Sequence, residues 1–285
     1  MQEIRFSTHF GIGTTDAEMK GAAMKKVSII IVFLALTMTI LPGTTYADND
    51  GSNVSIGVEW VGQYDGTGSP AEQYGNLNTS DDAVAGLYDI VSDPGTSWNW
   101  DFNYGNDLAW ERDWKATGRL GGDDSIYTDD VDLNAYCGHG FANKFVFSTE
   151  MDDWYSTISD IDMGDRDCEW MLTFTCNFLT GSMSTFGPAA DNVHLICGYA
   201  TDMTVTSNAG SRFAYWAKQP YGVRVAWYKY GYDTQNGANQ NIARIFGAKA
   251  SVNDYLWGYG SVSADPPFYT SSPSSYTYWD YKLNW

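Results

Sequence analysis

The chain has 285 residues, with 35 acidic and 16 basic side chains and a formal charge of −19 at neutral pH. So acidic a surface argues against nucleic acids and anionic membranes as partners. The part that follows the leader has the length of one substantial domain, and no break in composition divides it.

The first 47 residues have the pattern of an export leader. A short basic stretch precedes the apolar run 27–40, and residues 45–47 form a small-x-small cleavage site. The run is shorter than the roughly 20 residues that a transmembrane helix needs. We therefore expect a signal peptide at 24–47, with residues 1–23 upstream of the true start, and a secreted or cell-surface protein without membrane contact after cleavage. An uncleaved N-terminal anchor is the alternative.

Residues 48–285 read as alternating strands and helices in a single domain. In chain order, the pattern predicts a strand at 54–60, a Gly-rich loop at 62–78, a helix from residue 80, a strand at 98–104, a helix at 108–115, a strand at 131–137, a short apolar run at 145–147, a helix at 151–158, strands at 170–175 and 193–199, and short helices at 213–217 and 223–230. The tail from about residue 264 is rich in Pro, Ser and Tyr and reads as irregular.

Strands that alternate with helices indicate an α/β fold with a mostly parallel sheet and helices on both faces. The runs at 170–175 and 193–199 are apolar almost throughout, as expected for strands that are buried on both faces.

A histidine between two glycines ends the strand at 131–137, and a cysteine ends the strand at 170–175. If these strands are parallel neighbours, His139 and Cys176 emerge at the same edge of the sheet, on strands roughly 4.8 Å apart. A cysteine nucleophile and its histidine base require this proximity. The alternative is that Cys176 is an inert buried thiol and His139 a turn residue.

A strand that ends in His-Gly, followed along the chain by a strand that ends in Cys, resembles the caspase–gingipain–clostripain group of cysteine peptidases; the papain group has the reverse order. The blocks GHGF, GDRDCEWMLTFTC and VHLICGYAT also resemble an uncharacterised family of secreted archaeal and bacterial proteins. The resemblance implies a caspase-like three-layer sandwich with Cys176 as nucleophile and His139 as general base and acid. It also implies that the backbone amides of Gly140 and Cys176 hold the oxyanion.

We therefore expect an exported cysteine peptidase that hydrolyses a protein or peptide substrate through an acyl-enzyme. The alternative is a catalytically inactive relative that binds protein or glycan outside the cell. A glycan-acting enzyme with paired carboxylates is a third possibility, although no pair of aspartates stands out. Asn177 and Asp202 are candidates for a third catalytic residue, and the oligomeric state stays open.

The remaining cysteines and acidic segments predict no cofactor and no metal. Cys137 and Cys197 lie on strands that flank the Cys176 strand, roughly 10 Å apart and beyond the 7 Å limit for a disulfide, so both should be free. Residues 101–107 carry part of a calcium-loop pattern, which leaves calcium as an option, but the Gly and Glu of the full pattern are missing. The buried-looking His194 is expected to be structural.

Overall fold

The computed structural model describes residues 54–119, 121–235 and 241–283. The predicted leader, residues 1–47, lies outside these ranges. Within them, no helix is both long enough and apolar enough to cross a bilayer.

Ten strands are found in the described residues: β1 (Ser55–Trp60), β2 (Asn99–Gly105), β3 (Leu133–Cys137), β4 (Gly140–Phe141), β5 (Lys144–Val146), β6 (Tyr155–Thr157), β7 (Trp170–Phe174), β8 (Leu195–Tyr199), β9 (Ile242–Ala248) and β10 (Tyr276–Lys282). Seven of them form the central sheet, in the order β10-β9-β8-β7-β3-β1-β2. The five strands from β8 to β2 are parallel, whereas β9 runs antiparallel to β8 and β10 antiparallel to β9. The predicted α/β fold with a mostly parallel sheet is confirmed.

The middle of the sheet is buried on both faces. Every residue of β3, β7 and β8 is buried. Two-sided burial is the reason that the β7 and β8 segments read as nearly continuous apolar runs rather than as alternating ones.

The helices are α1 (Ser80–Ala85), α2 (Tyr88–Val91), α3 (Met183–Phe186), α4 (Ala209–Ala217) and α5 (Val223–Thr234). All except α3 contribute to one core on the first face of the sheet. Trp227 of α5 lies at the centre of this core, with its ring centroid 5.2 Å from that of Phe174 in β7 and 5.8 Å from that of Tyr199 in β8. This face is the helical layer that the alternating pattern predicts.

The second face of the sheet has a different cover. A small antiparallel sheet of β4, β5 and β6 lies over it, together with α3 and irregular segments, and buries Phe145, Phe147 and Phe186. The prediction of helices on both faces therefore holds fully for the first face only.

Three local predictions are wrong. The expected helix at 151–158 is a bend that leads into β6, because residues 155–157 pair with β5 and give up the backbone groups that a helix needs. The expected helix at 108–115 is replaced by two 3-10 turns at 106–108 and 111–114. The tail after residue 264 is not irregular throughout, because β10 pairs with β9 along its whole length.

Candidate active site

Two strand ends meet at the carboxyl edge of the parallel strands. β3 and β7 are neighbours in parallel register, and their last residues, Cys137 and Phe174, lie opposite each other. His139 and Cys176 each follow two residues later, and therefore leave the sheet at the same edge. Gly140 also lies close to Cys176, because a Cβ atom added to Gly140 would be 2.7 Å from the carbonyl oxygen of Cys176.

The His139 ring is oriented by a backbone carbonyl. Its Nε2 lies 2.9 Å from the Gly75 oxygen, and its backbone amide donates to the Tyr64 hydroxyl at 2.9 Å. A carbonyl oxygen can only accept a hydrogen bond, so Nε2 carries the proton and Nδ1 keeps its lone pair. The free lone pair makes Nδ1 the basic atom of the ring.

Aromatic rings on two sides restrict the imidazole further. The ring centroids of Tyr64 and Tyr74 lie 4.8 Å and 5.7 Å from that of His139. Burial lowers the pKa of His139 below its ordinary value, and the hydrogen bond to Gly75 opposes part of this shift. The imidazole is therefore neutral at neutral pH, as a general base must be.

The loop that supplies the Gly75 carbonyl is held by asparagine side chains. Asn76 accepts hydrogen bonds from the amides of Tyr64 and Asp65, at 2.6 Å and 3.0 Å. Gly75 itself has φ 75°, a left-handed conformation that favours glycine. The sequence marks this stretch as a Gly-rich loop, but nothing in it indicates a contact with a histidine 64 residues away.

The Cys176 thiol is half-buried and engages a backbone rather than the histidine. Its Sγ donates to the Met203 oxygen at 3.4 Å and accepts from the Met203 amide at 3.3 Å. Burial raises the pKa of Cys176; the hydrogen bond to Met203 lowers it in part, and the charge of Asp202 raises it again. The group is therefore a thiol rather than a thiolate at neutral pH.

The Cys176 thiol and the His139 imidazole thus lie at the same edge of the sheet but are not hydrogen-bonded to each other. Within the ranges that the structure describes, no hydrogen bond joins the two side chains. The backbone amide of Cys176 also donates no hydrogen bond to any residue that the structure describes. It is therefore available for the oxyanion role that is expected of it. Gly140, the other expected donor, is the first residue of β4 and lies opposite Phe145.

Comparison with known families places this edge of the sheet within the region that one family model matches. A family model described as a domain of unknown function, DUF6345, matches residues 58–281. The chain belongs to the DUF6345 family. No curated protein matches its sequence significantly. The DUF6345 match extends from within β1 to within β10 and includes both His139 and Cys176.

The two candidates for a third catalytic residue in this DUF6345 domain bond to each other. The side-chain amide of Asn177 donates a hydrogen bond to an Asp202 carboxylate oxygen at 2.6 Å. The hydrogen-bond partner of the His139 ring is instead the Gly75 carbonyl. Asn177 has φ 57°, in the left-handed region, and the chain continues from it as a turn.

All four cysteines of the DUF6345 domain are free. Cys137 in β3 and Cys197 in β8 flank β7, as predicted, and both are fully buried. Burial raises the pKa of Cys137 to about 12 and shifts that of Cys197 in the same direction. Cys168 is buried as well, which leaves Cys176 as the one thiol of the four that solvent reaches.

The calcium-loop pattern of the DUF6345 chain falls mostly on a strand. Residues 101–105 belong to β2, and the next three form a 3-10 turn, so the acidic residues do not form a loop around one point. Across the described parts of the chain, no three His, Cys, Asp or Glu side chains converge in a way that could hold a metal ion.

His194 lies at the opposite, amino edge of the sheet, directly before β8. It is 1% exposed, with Nδ1 2.7 Å from Asp254 and Nε2 3.4 Å from Asp265. Burial alone would lower the pKa of His194, but the hydrogen bonds and charges of the two aspartates outweigh it and the pKa is raised. An imidazole bonded at both nitrogens has no free lone pair for catalysis.

Proposed function

We propose that this DUF6345 protein is an exported cysteine peptidase with Cys176 as nucleophile and His139 as general base and acid. One observation carries the proposal: neighbouring parallel strands deliver a half-buried thiol and an oriented imidazole to the same edge of the sheet. The chain order, histidine before cysteine, supports a caspase-like version of the α/β fold.

The chemistry would start from a neutral pair. As the substrate binds, Nδ1 of His139 takes the thiol proton and Sγ of Cys176 attacks the scissile carbonyl carbon. The His139 cation then gives its proton to the leaving amine, which departs as the C–N bond breaks. A water molecule, deprotonated by the same Nδ1, hydrolyses the thioester and restores the thiol.

The charge of the tetrahedral intermediate needs donors close to the sulfur. The open amide of Cys176 is suited to this task, and the amide of Gly140 is the expected second donor. The Gly75 carbonyl has a separate role. It holds the Nε2 proton, so that only Nδ1 can act as base, and it stabilises the imidazolium that forms.

A second candidate function is supported by the resting state of the thiol. The sulfur bonds the Met203 backbone instead of the imidazole, and its pKa is raised. A domain that has lost the reaction and binds protein or glycan outside the cell would need nothing more from Cys176 than this packing role.

Digestion of a peptide library separates the two functions. We expect the mature wild-type protein to cleave a subset of peptides, and Cys176→Ala and Cys176→Ser to cleave none. Cys137→Ala, which removes a buried thiol two residues before His139, is the matched control and should keep the activity. Equal peptide profiles for the wild type and Cys176→Ala would reject the peptidase and leave the binding function.

A further inference from the structure

The segment that covers the Cys176 sulfur is the loop after β8, residues 200–206, which we call the Met203 loop. The first half of the loop is bonded to the turn that contains Cys176, because the backbone amide of Asn177 donates to the backbone oxygen of Thr201 at 3.0 Å. Met203 then places both of its backbone polar groups on the sulfur. The position of this backbone therefore sets how far solvent or a substrate can reach the thiol.

The second half of the Met203 loop is held by one side chain at the end of α5. The Gln235 Oε1 accepts from the Thr204 amide at 2.7 Å, and its Nε2 donates to the Thr204 oxygen at 2.8 Å. Asn241 donates to the same Oε1 at 3.1 Å, which fixes the orientation of the Gln235 amide. Gln235 is 1% exposed, so both bonds to Thr204 are shielded from water.

A two-point bond to a single residue resists both sliding and rotation of the loop. Thr204 directly follows Met203, so a fixed Thr204 also fixes the groups that contact the sulfur. We propose that Gln235 is a positioning residue that holds the Met203 loop closed over Cys176 and thereby limits the reactivity of its thiol. The contacts of Gln235 do not depend on the proposed peptidase function; only the reason for limiting the reactivity of Cys176 rests on it.

Native-state alkylation with iodoacetamide tests the inference without any substrate. Gln235→Met keeps the approximate volume of the side chain but removes both bonds to Thr204. We expect the alkylation rate of Cys176 to rise on the order of tenfold or more, since local opening becomes easier when buried hydrogen bonds are lost. Gln235→Glu retains the acceptor for the Thr204 amide and should give an intermediate rate.

The pH profile of the same reaction adds a second readout. Burial is the main reason for the raised pKa of Cys176, so opening the loop should move the midpoint of alkylation to lower pH in Gln235→Met. Ser251→Ala is the matched control, because it removes the hydrogen bond of a buried hydroxyl to the half-buried Ser263, beyond the opposite edge of the sheet. It should leave the rate and midpoint of Cys176 unchanged.

The three fully buried cysteines serve as an internal standard. Faster alkylation of Cys176 alone in a folded Gln235→Met protein supports the positioning role. An unchanged rate at Cys176, or an equal acceleration of all four thiols, overturns it. Failure of the library digestion would reject the peptidase proposal and leave this outcome standing, whereas unchanged labelling in an active peptidase would reject the role of Gln235 alone.

Discussion

The two edges of the parallel sheet carry ionisable residues in opposite settings. At the carboxyl edge, His139 keeps one nitrogen free and has a lowered pKa. At the amino edge, His194 is bonded at both nitrogens by aspartates and has a raised pKa. The same side chain thus has a lowered pKa at one edge and a raised pKa at the other, and the difference arises from its surroundings rather than from its residue type.

The amino edge is organised by the residues that directly precede the strands. Asp132, Glu169 and His194 come immediately before β3, β7 and β8. Burial raises the pKa of Asp132 to about 8 and that of Glu169 in the same direction, with neighbouring carboxylates adding to both shifts. Both carboxyl groups also have a buried oxygen without a hydrogen-bond partner among the described residues. The raised pKa values of Asp132, Glu169 and His194 show that this edge favours bound protons.

The largest expected effect on stability comes from removing the His194 imidazole. His194→Ala leaves the buried Asp254 and the half-buried Asp265 without their imidazole partner, and we expect a loss of about 3 kcal/mol in the free energy of unfolding. Urea denaturation followed by tryptophan fluorescence measures the loss. His139→Ala is the control at the other edge and should cost about 1 kcal/mol, the value of its hydrogen bond to Gly75. Equal losses would contradict the contrast between the two edges.

A smaller effect is the dependence of stability on pH. The folded pKa values of Asp132, Glu169 and His194 are all raised, as is that of Asp162, which burial and Asp191 raise to about 8. The folded state therefore binds more protons than the unfolded state. The stability from the carboxyl groups is complete below about pH 4, that from His194 below about pH 6.5, and both are lost as the pH rises through the folded values.

We accordingly expect the melting temperature to fall by on the order of 5 °C between about pH 5 and about pH 8. His139 contributes in the opposite direction, since its pKa is lowered, but it is a single group. Asp132→Asn keeps an acceptor for the Ser55 amide and removes one titrating carboxyl group. The melting temperature of this variant should therefore depend less on pH than that of the wild type. A wild-type melting temperature that rises over this range would show that the amino edge is not protonated.

The neighbouring positions of β3 and β7 could be predicted because their signals are local. The β3 segment alternates apolar with polar or larger residues, and the β7 segment is a nearly continuous apolar run. Each is followed by a residue able to carry chemistry, and the parallel pairing of such strands follows from their alternation with helices. The shared edge of His139 and Cys176 follows from that pairing. β10 was missed because its aromatic residues alternate within a Pro- and Ser-rich stretch, where composition masks the period of the strand.

The contacts that decide how the two groups behave could not be predicted. The partner of His139 is the carbonyl of Gly75, and that of Cys176 is the backbone of Met203. Backbone groups are the same in every residue, so no side-chain pattern indicates them. Gln235 directly follows the last residue of α5, where a polar residue is usually exposed. Only the structure shows that it is buried and bonded to Thr204.

The most direct test of the central claim is covalent labelling of the mature protein with peptidyl acyloxymethyl ketones. In these reagents a cysteine sulfur displaces a carboxylate and forms a thioether, and an acid–base partner accelerates the step. We expect mass spectrometry to locate the adduct on Cys176, with a rate that falls by at least about 10²-fold in His139→Ala. The absence of an adduct on Cys176, or an equal rate in His139→Ala, would contradict a working pair of His139 and Cys176.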